Sequence, residues 1–237
     1  MKKQRLVVLT GAGVSAESGI STFRTNNGLW DNHKVEDVAS IDGWYRNPQL
    51  VLDFYNERRR QLGTVKPNAA HYALAELENE WDVTVITQNV DNLHERAGST
   101  RIIHLHGELT KVRPENCYND VDNYSEETVF DIGYDEIHLG DLAPNGAQLR
   151  PHIVWFGEPV PYINAAIDQV MNADVLLIVG TSLQVYPAAG LYAYAMADTP
   201  IYIIDPADVS VRDGRLIHIK DVATKGMETF KNILKSK

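Results

Sequence analysis

Three groups of polar side chains follow apolar runs, and their types define the chemistry open to the chain. His106 comes after Arg101–Leu105 on a His-Gly turn, where an imidazole can work near neutral pH as a general base. Asn89 and Asp91 come after Val83–Ile86, within Thr87-Gln88-Asn89-Val90-Asp91-Asn92. Gly11 and Gly13 come after Leu6–Leu9. Two glycines let the backbone turn tightly against a ligand, and a helix starting near Val14 would aim its free amides at an anion, a diphosphate cradle. Ala16 is the third small position of that pattern. The acidic ribose partner expected about 20 residues on is missing, because Gly19 breaks the helix and Ile20–Asp31 reads as a polar loop. Alone, the glycine pattern fits a plain strand-turn-helix junction as well as a nucleotide site.

The elements that must position these groups alternate. Strands are expected at 6–9, 83–86, 101–105, 152–156, 175–179 and 201–204, and helices at 47–62, 67–79, 164–172, 188–197 and 223–234. This order predicts a doubly wound, Rossmann-like parallel α/β sheet. In such a sheet the carboxyl ends of the strands face the ligand crevice, so Asn89, Asp91 and His106 are expected to converge with Gly11 and Gly13. Between 109 and 149 the periodicity changes, which predicts an inserted lobe. The large domain is expected at roughly 1–20, 64–108 and 150–237, and the small lobe at roughly 21–63 and 109–149.

The chain has 237 residues, 44% of them hydrophobic and 23% charged, with a net charge of −10. That balance argues against non-specific nucleic-acid or anionic-membrane binding and is compatible with a basic peptide partner. The apolar run before the glycine turn is too short for a signal peptide or a membrane span, so a cytoplasmic location is expected. A single cysteine, Cys117, excludes an intrachain disulfide framework.

Five segments in this order resemble the sirtuins, NAD-dependent protein lysine deacylases: Gly11–Gly19 with Phe23-Arg24, Thr87–Asp91, His106-Gly107, Arg150–Glu158, and Gly180–Ser182 with Val185-Tyr186-Pro187. Asp53–Leu62 and Lys66–His71 are similar to the bacterial CobB-like, class III branch. The resemblance implies NAD as co-substrate, acyl-lysine proteins or peptides as partners, and transfer of the acyl group to ADP-ribose with release of nicotinamide. It implies His106 as the base acting on a ribose hydroxyl, and Asn89 and Asp91, with Gln88, as the nicotinamide and ribose pocket. Gly11, Ala12, Gly13, Glu17, Phe23, Arg24, Gly180, Thr181, Ser182, Asp205 and Val222 complete the implied NAD site, with Asp205 favouring NAD over NADP. Val154, Phe156, Gly157 and Glu158 with Leu183, Val185 and Tyr186 are the implied peptide and acyl-lysine contacts.

Within the class III branch a Tyr-x-x-Arg pair recognises acidic acyl groups, and Tyr55 with Arg58 has that spacing, one helical turn apart. The bland reading of Arg58, Arg59 and Arg60 is a solvated face paired with Glu57. Asp91 equally fits a helix cap before Leu93–Ala97, and His71, His94 and His104 read as structural. The family usually carries four zinc-binding cysteines in the inserted lobe. Only Cys117 is present here, so no zinc is expected and the lobe is expected to hold together through Tyr124, Val129, Phe130, Ile132, Tyr134, Ile137 and Leu139. A monomer is favoured. The alternatives are an ADP-ribosyltransferase of the same family, an NAD or ADP-ribose sensor with weak catalysis, and a dehydrogenase.

Overall fold

A computed structural model describes residues 2–21, 29–30, 32–116, 128–209 and 213–236. Phe23, Arg24, Cys117 and Tyr124 lie outside the described residues. Eleven strands occur among those described: β1 Arg5–Thr10, β2 Leu29–Trp30, β3 His33–Lys34, β4 Asp82–Thr87, β5 Ile102–His104, β6 Gly107–Pro114, β7 Phe130–Asp131, β8 Leu149–Ile153, β9 Val175–Val179, β10 Ile201–Ile204 and β11 Leu216–Ile219. The α-helices are α1 Val35–Val38, α2 Ile41–Arg46, α3 Pro48–Thr64, α4 Ala69–Leu77, α5 Leu93–Ala97, α6 Ile163–Met171 and α7 Ala223–Lys235.

Six parallel strands form the main sheet in the order β11-β10-β9-β1-β4-β5. Counted along the chain within that sheet, the order is 3-2-1-4-5-6 read from β5, the doubly wound arrangement whose ligand crevice opens between the first and fourth strands. Alternate side chains face opposite layers, as a period of two requires. Leu6, Val8, Val85, Leu177 and Tyr202 pack against α4 and α7, while Val7, Leu9, Ile86, Leu176 and Ile203 pack against α6. Both faces are covered, which is why these strands read as unbroken apolar runs.

Several expectations are corrected. Residues 152–156 do not rejoin the parallel sheet: β8 pairs antiparallel with β6, which also pairs with β7. Gly107, at φ 80°, permits this, since a Cβ there would lie 2.0 Å from the His152 carbonyl oxygen. In place of the helix expected near Val14 there are two 3₁₀ turns, Ala12–Val14 and Ala16–Ser18, ended by Gly19. The segment expected as a helix at 188–197 is a 3₁₀ helix, Ala188–Tyr194. Elements β2, β3, β6, β7, β11, α1 and α2 lie where no element was expected.

The inserted lobe is not held by an apolar cluster of its own, because three short strands offer too little surface for an independent core. Phe130, Tyr134 and Leu139 are exposed. Ile137 is buried, Ile132 is partly so, and both join Leu109 and Val112 in a cluster shared with Phe54, Tyr55 and Leu62 of α3. Asn56 of α3 ties the lobe down further, donating to the Ile137 carbonyl at 2.8 Å and accepting from the Ile137 amide at 3.0 Å.

Candidate active site

Strand register brings the polar groups to one edge. Thr10 lies opposite both Thr87 and Val179, and Val179 lies opposite Ile204, so Gly11, Gln88, Gly180 and Asp205 emerge side by side. They line a cleft of about 570 Å³ together with Ala12, Gly13, Glu17, Asn89, Asp91, His106, Thr181, Ser182 and Val222. The floor is bare backbone. A Cβ on Gly13 would sit 2.6 Å from the Gly180 Cα, and one on Gly180 would sit 2.3 Å from the Val14 nitrogen. The cradle differs from the expected helix terminus, because the Gly13, Val14 and Ser15 amides already donate to the Gly180, Gly11 and Ala12 carbonyls. Packing of the two glycine turns directly on each other, not a helix terminus, shapes the cleft floor here.

Ser15 organises the polar end. Its hydroxyl donates to Asp91 Oδ2 at 2.9 Å and accepts from Asn89 Nδ2 at 3.2 Å. Asp91 Oδ1 also accepts the Leu93 amide at 3.1 Å, although the helix it precedes takes Asn92 as its N-cap with no side-chain cap. Burial pushes the Asp91 carboxyl up, against the Leu93 amide, the Ser15 hydroxyl and the charge of His104. Ser15 was not singled out in the sequence, where only its place in the glycine turn marks it. His71 accepts the Asn68 amide at Nδ1 in the capping box of α4 and lies 3.4 Å from the Ser15 hydroxyl through Nε2. Burial lowers it to about 4, so it is neutral and acts as scaffold. His94 pairs with the Thr10 hydroxyl at 3.0 Å.

His106 lies where β5 hands over to β6. Its Nδ1 is 3.0 Å from the Gln88 carbonyl oxygen. A carbonyl only accepts, so Nδ1 carries the proton and Nε2 is left as the basic atom. Burial lowers the imidazole, partly offset by the Gln88 carbonyl, and this keeps it in the neutral form a base requires. Gln88 is held in turn, its Nε2 donating to the Thr181 hydroxyl at 3.1 Å.

Three implied contacts have other commitments. The Glu17 carboxylate accepts from the Thr224 amide at 3.0 Å and its hydroxyl at 2.8 Å, capping α7 beside Val222. Leu183 does not line the cleft and packs against the α6 side of the sheet. Glu158 lines the cleft, with its carboxylate bound by Arg150 at 2.7 and 3.0 Å, by Arg113 at 3.3 Å and by the Trp155 amide at 2.9 Å. The Arg150 guanidinium also stacks 3.4 Å from the Trp155 ring centroid. This cluster fixes the segment that carries Val154, Phe156 and Gly157, which line the mouth with Val185 and Tyr186. Phe156 and Tyr186 are 50% and 76% exposed there.

Tyr55 and Arg58 both face the cleft from α3. The buried Tyr55 hydroxyl accepts from Trp155 Nε1 at 2.9 Å, and burial pushes the phenol well above its ordinary range. It therefore keeps a proton to donate. The Arg58 guanidinium lies 4.5 Å over the Phe54 ring and 3.3 Å from Glu57. The solvated-face reading splits: the Glu57 pairing belongs to the mostly buried Arg58, Arg60 is solvated beside Glu136, and Arg59 is fully buried on the Leu109 carbonyl and Asn56. Burial lowers Arg59 to about 10.

A doubly wound α/β domain with a glycine-floored cleft at its switch point, roofed by an inserted antiparallel lobe, is the class of protein defined by this fold and site. The Sir2 family model matches residues 11–187, and the chain belongs to that family. It is similar to proteins named NAD-dependent protein deacylase from Bacteroides thetaiotaomicron, 54% identical over 98% of both chains, and from Helicobacter pylori strain 26695, 58% identical over 86% of this chain and 85% of that one. Among solved structures it is similar to a Sir2 homologue–NAD complex, with a TM-score of 0.84 and 37% identity over 99% of this chain and 91% of the other. A Sir2 complex with a deacetylated p53 peptide and 3′-O-acetyl ADP-ribose gives a TM-score of 0.80 at 29% identity, covering 98% and 94% of the two chains.

Proposed function

We propose that the chain is an NAD-dependent protein lysine deacylase, moving an acyl group from lysine to ADP-ribose with release of nicotinamide. The observation that carries this is the placement of a neutral His106 in the same cleft as the glycine floor and the Ser15–Asn89–Asp91 hub. NAD supplies the leaving group and the acyl acceptor. Gly11, Gly13 and Gly180 give its diphosphate the closest backbone approach, and Asp205 at the end of β10 accepts from a ribose hydroxyl and disfavours a 2′-phosphate. Asn89 and Asp91 hold the nicotinamide ribose, and His106 Nε2 takes the hydroxyl proton. Phe23 and Arg24 keep the role the resemblance gives them over the cofactor. Substrates are acyl-lysine proteins; a cytoplasmic, monomeric enzyme without nucleic-acid or membrane partners is in keeping with the acidic chain.

Incubation with NAD and acetyl- or succinyl-lysine peptides tests the reading. Nicotinamide release with acyl-ADP-ribose formation is expected. Reduced nicotinamide would indicate hydride transfer, ADP-ribosylated protein would indicate the transferase, and NAD binding without turnover would indicate a sensor.

Tyr55 and Arg58 extend the proposal to acidic acyl groups, because a phenol donor and a guanidinium share the acyl end of the cleft. Arg58→Met is expected to cut desuccinylation at least about tenfold more than deacetylation, as the loss of a charge-assisted bond of roughly 1.5–3 kcal/mol implies. Equal losses would refute the assignment.

We further propose a lobe without structural zinc, since such a site needs four closed, mostly thiolate ligands and the span 109–149 has only Cys117. Among the described residues, Glu95, His104 and Glu108 come together, but they are committed to one another and to Lys111. Elemental analysis is expected to find no stoichiometric zinc; one tightly held zinc per chain would overturn the proposal.

A further inference from the structure

Behind the cleft stands a pair of side chains that the proposed reaction does not use. His104 ends β5 opposite Thr87, with Nδ1 3.2 Å from the Asn89 carbonyl oxygen and Nε2 2.6 Å from Glu95 Oε1 of α5. Neither His104 nor Glu95 lines the cleft. Resting on the reading of Asn89 and Asp91 as the nicotinamide-ribose pocket, we propose that Glu95 and His104 are positioning residues. Glu95 keeps His104 doubly protonated, and the imidazolium fixes the Asn89 main chain and presents its charge to Asp91.

The protonation state follows from the partners. A carbonyl oxygen and an ionised carboxylate both only accept, so the two short contacts require a proton on each ring nitrogen. A neutral ring would turn a lone pair toward one of them. The arrangement complements that of His106 two residues on. One imidazole, bound only to the Gln88 carbonyl, is left with a free basic nitrogen; the other has both nitrogens spent and cannot act as a base. Together they grip two successive carbonyls, Gln88 and Asn89, and so set the plane of the peptide from which the Asn89 side chain reaches Ser15.

The titratable neighbours can be named on every side. Glu95 and His94 come from α5, Asp91 from the loop after β4, Glu108 and Lys111 from β6, and His152 from β8. Burial pushes His104 down, but the Glu95 hydrogen bond and charge, Glu108 and the Asn89 carbonyl outweigh it, leaving the group raised. Lys111 sits 2.6 Å from Glu108, so the third carboxylate is already neutralised. That ammonium makes the cluster a poor place for a metal cation. A raised folded value means that the charged form persists to higher pH than in an ordinary histidine and is lost as pH rises through that value. Without Glu95 the largest raising contributions are gone, so His104 is expected to lose its charge at lower pH.

Histidine ¹⁵N NMR of the full chain reads the proton count directly, independently of any enzymatic activity. Both His104 nitrogens are expected to be protonated at pH 7, and Glu95→Gln, a change on a partly exposed helix face, is expected to remove one proton. With NAD and an acyl peptide, Glu95→Gln and His104→Asn are expected to lower kcat/KM for NAD by about 10- to 100-fold. The peptide KM should stay unchanged, and in Glu95→Gln the alkaline fall of activity should begin at lower pH. A His104 that titrates at its ordinary value, an unchanged pH profile and NAD KM, or binding of added Zn²⁺ at Glu95 and His104 in the wild-type chain would overturn the proposal. If the wild-type chain turns over no acyl peptide, the proposed function fails, while the NMR result still decides the state of His104.

Discussion

Replacing His106 by asparagine is expected to lower NAD-dependent deacylation by about 10²–10⁴-fold, the range for loss of a general base, while leaving Tm nearly unchanged. Asparagine keeps a donor for the Gln88 carbonyl that Nδ1 now holds and removes the basic nitrogen. NAD binding, followed by calorimetry, should persist. The wild-type pH profile adds a second check. Burial sets the His106 value below its ordinary 6.5, so the base stays neutral down through that pH and activity falls only as pH drops past the lowered value. A fall centred above 6.5, or a His106→Asn variant within a factor of about three of wild type, would remove His106 from the role.

Glu158→Ala is expected to produce the largest loss of stability. The carboxylate compensates two guanidinium groups, Arg113 and Arg150, whose side chains are 0% and 1% exposed. Removing it takes this carboxylate away from both buried guanidiniums, a change that costs about 3–5 kcal/mol. At roughly 2–4 °C per kcal/mol for a chain of this size, Tm should fall by on the order of 10 °C. The Trp155 amide loses its acceptor as well, so acyl-peptide KM should rise even below the transition. An unchanged Tm would mean that the cluster is hydrated and contributes little.

The large sheet, apart from β11, was legible because its buried parallel strands are mostly apolar runs ending in polar or glycine residues, and the carboxyl ends of such strands share one edge. That is why Asn89, Asp91 and His106 could be expected to converge with Gly11 and Gly13. The inserted lobe was not legible in the same way. Its strands lack the alternation a half-buried strand would show, Ile137 and Ile132 pack against α3 residues distant in sequence, and no local pattern distinguishes them from the exposed Phe130 and Leu139. Residues 152–156 misled because an apolar run reads alike in either sheet, and only the positive φ of Gly107 turns the chain toward antiparallel pairing. The burial of Arg113 and Arg150 was hidden too: arginine is ordinarily exposed, and the compensating Glu158 lies 45 and 8 residues away. The roles of Ser15 and Glu95 depend on contacts across 76 and 9 residues, which spacing alone does not reveal.

The glycine floor of the cleft carries a genetic consequence. Most crowded contacts can be repaired from the other side, a larger residue here being accommodated by a smaller one there. Gly13 and Gly180 face each other backbone to backbone, and nothing smaller than glycine exists to yield. An alanine at either position therefore has no compensating change at the other, and the double variant should fare no better than the worse of the singles. Any suppressor must shift β1 or β9 themselves, which are locked on both sides by the parallel sheet. The two positions behave as one indivisible character, open to loss but closed to gradual exchange.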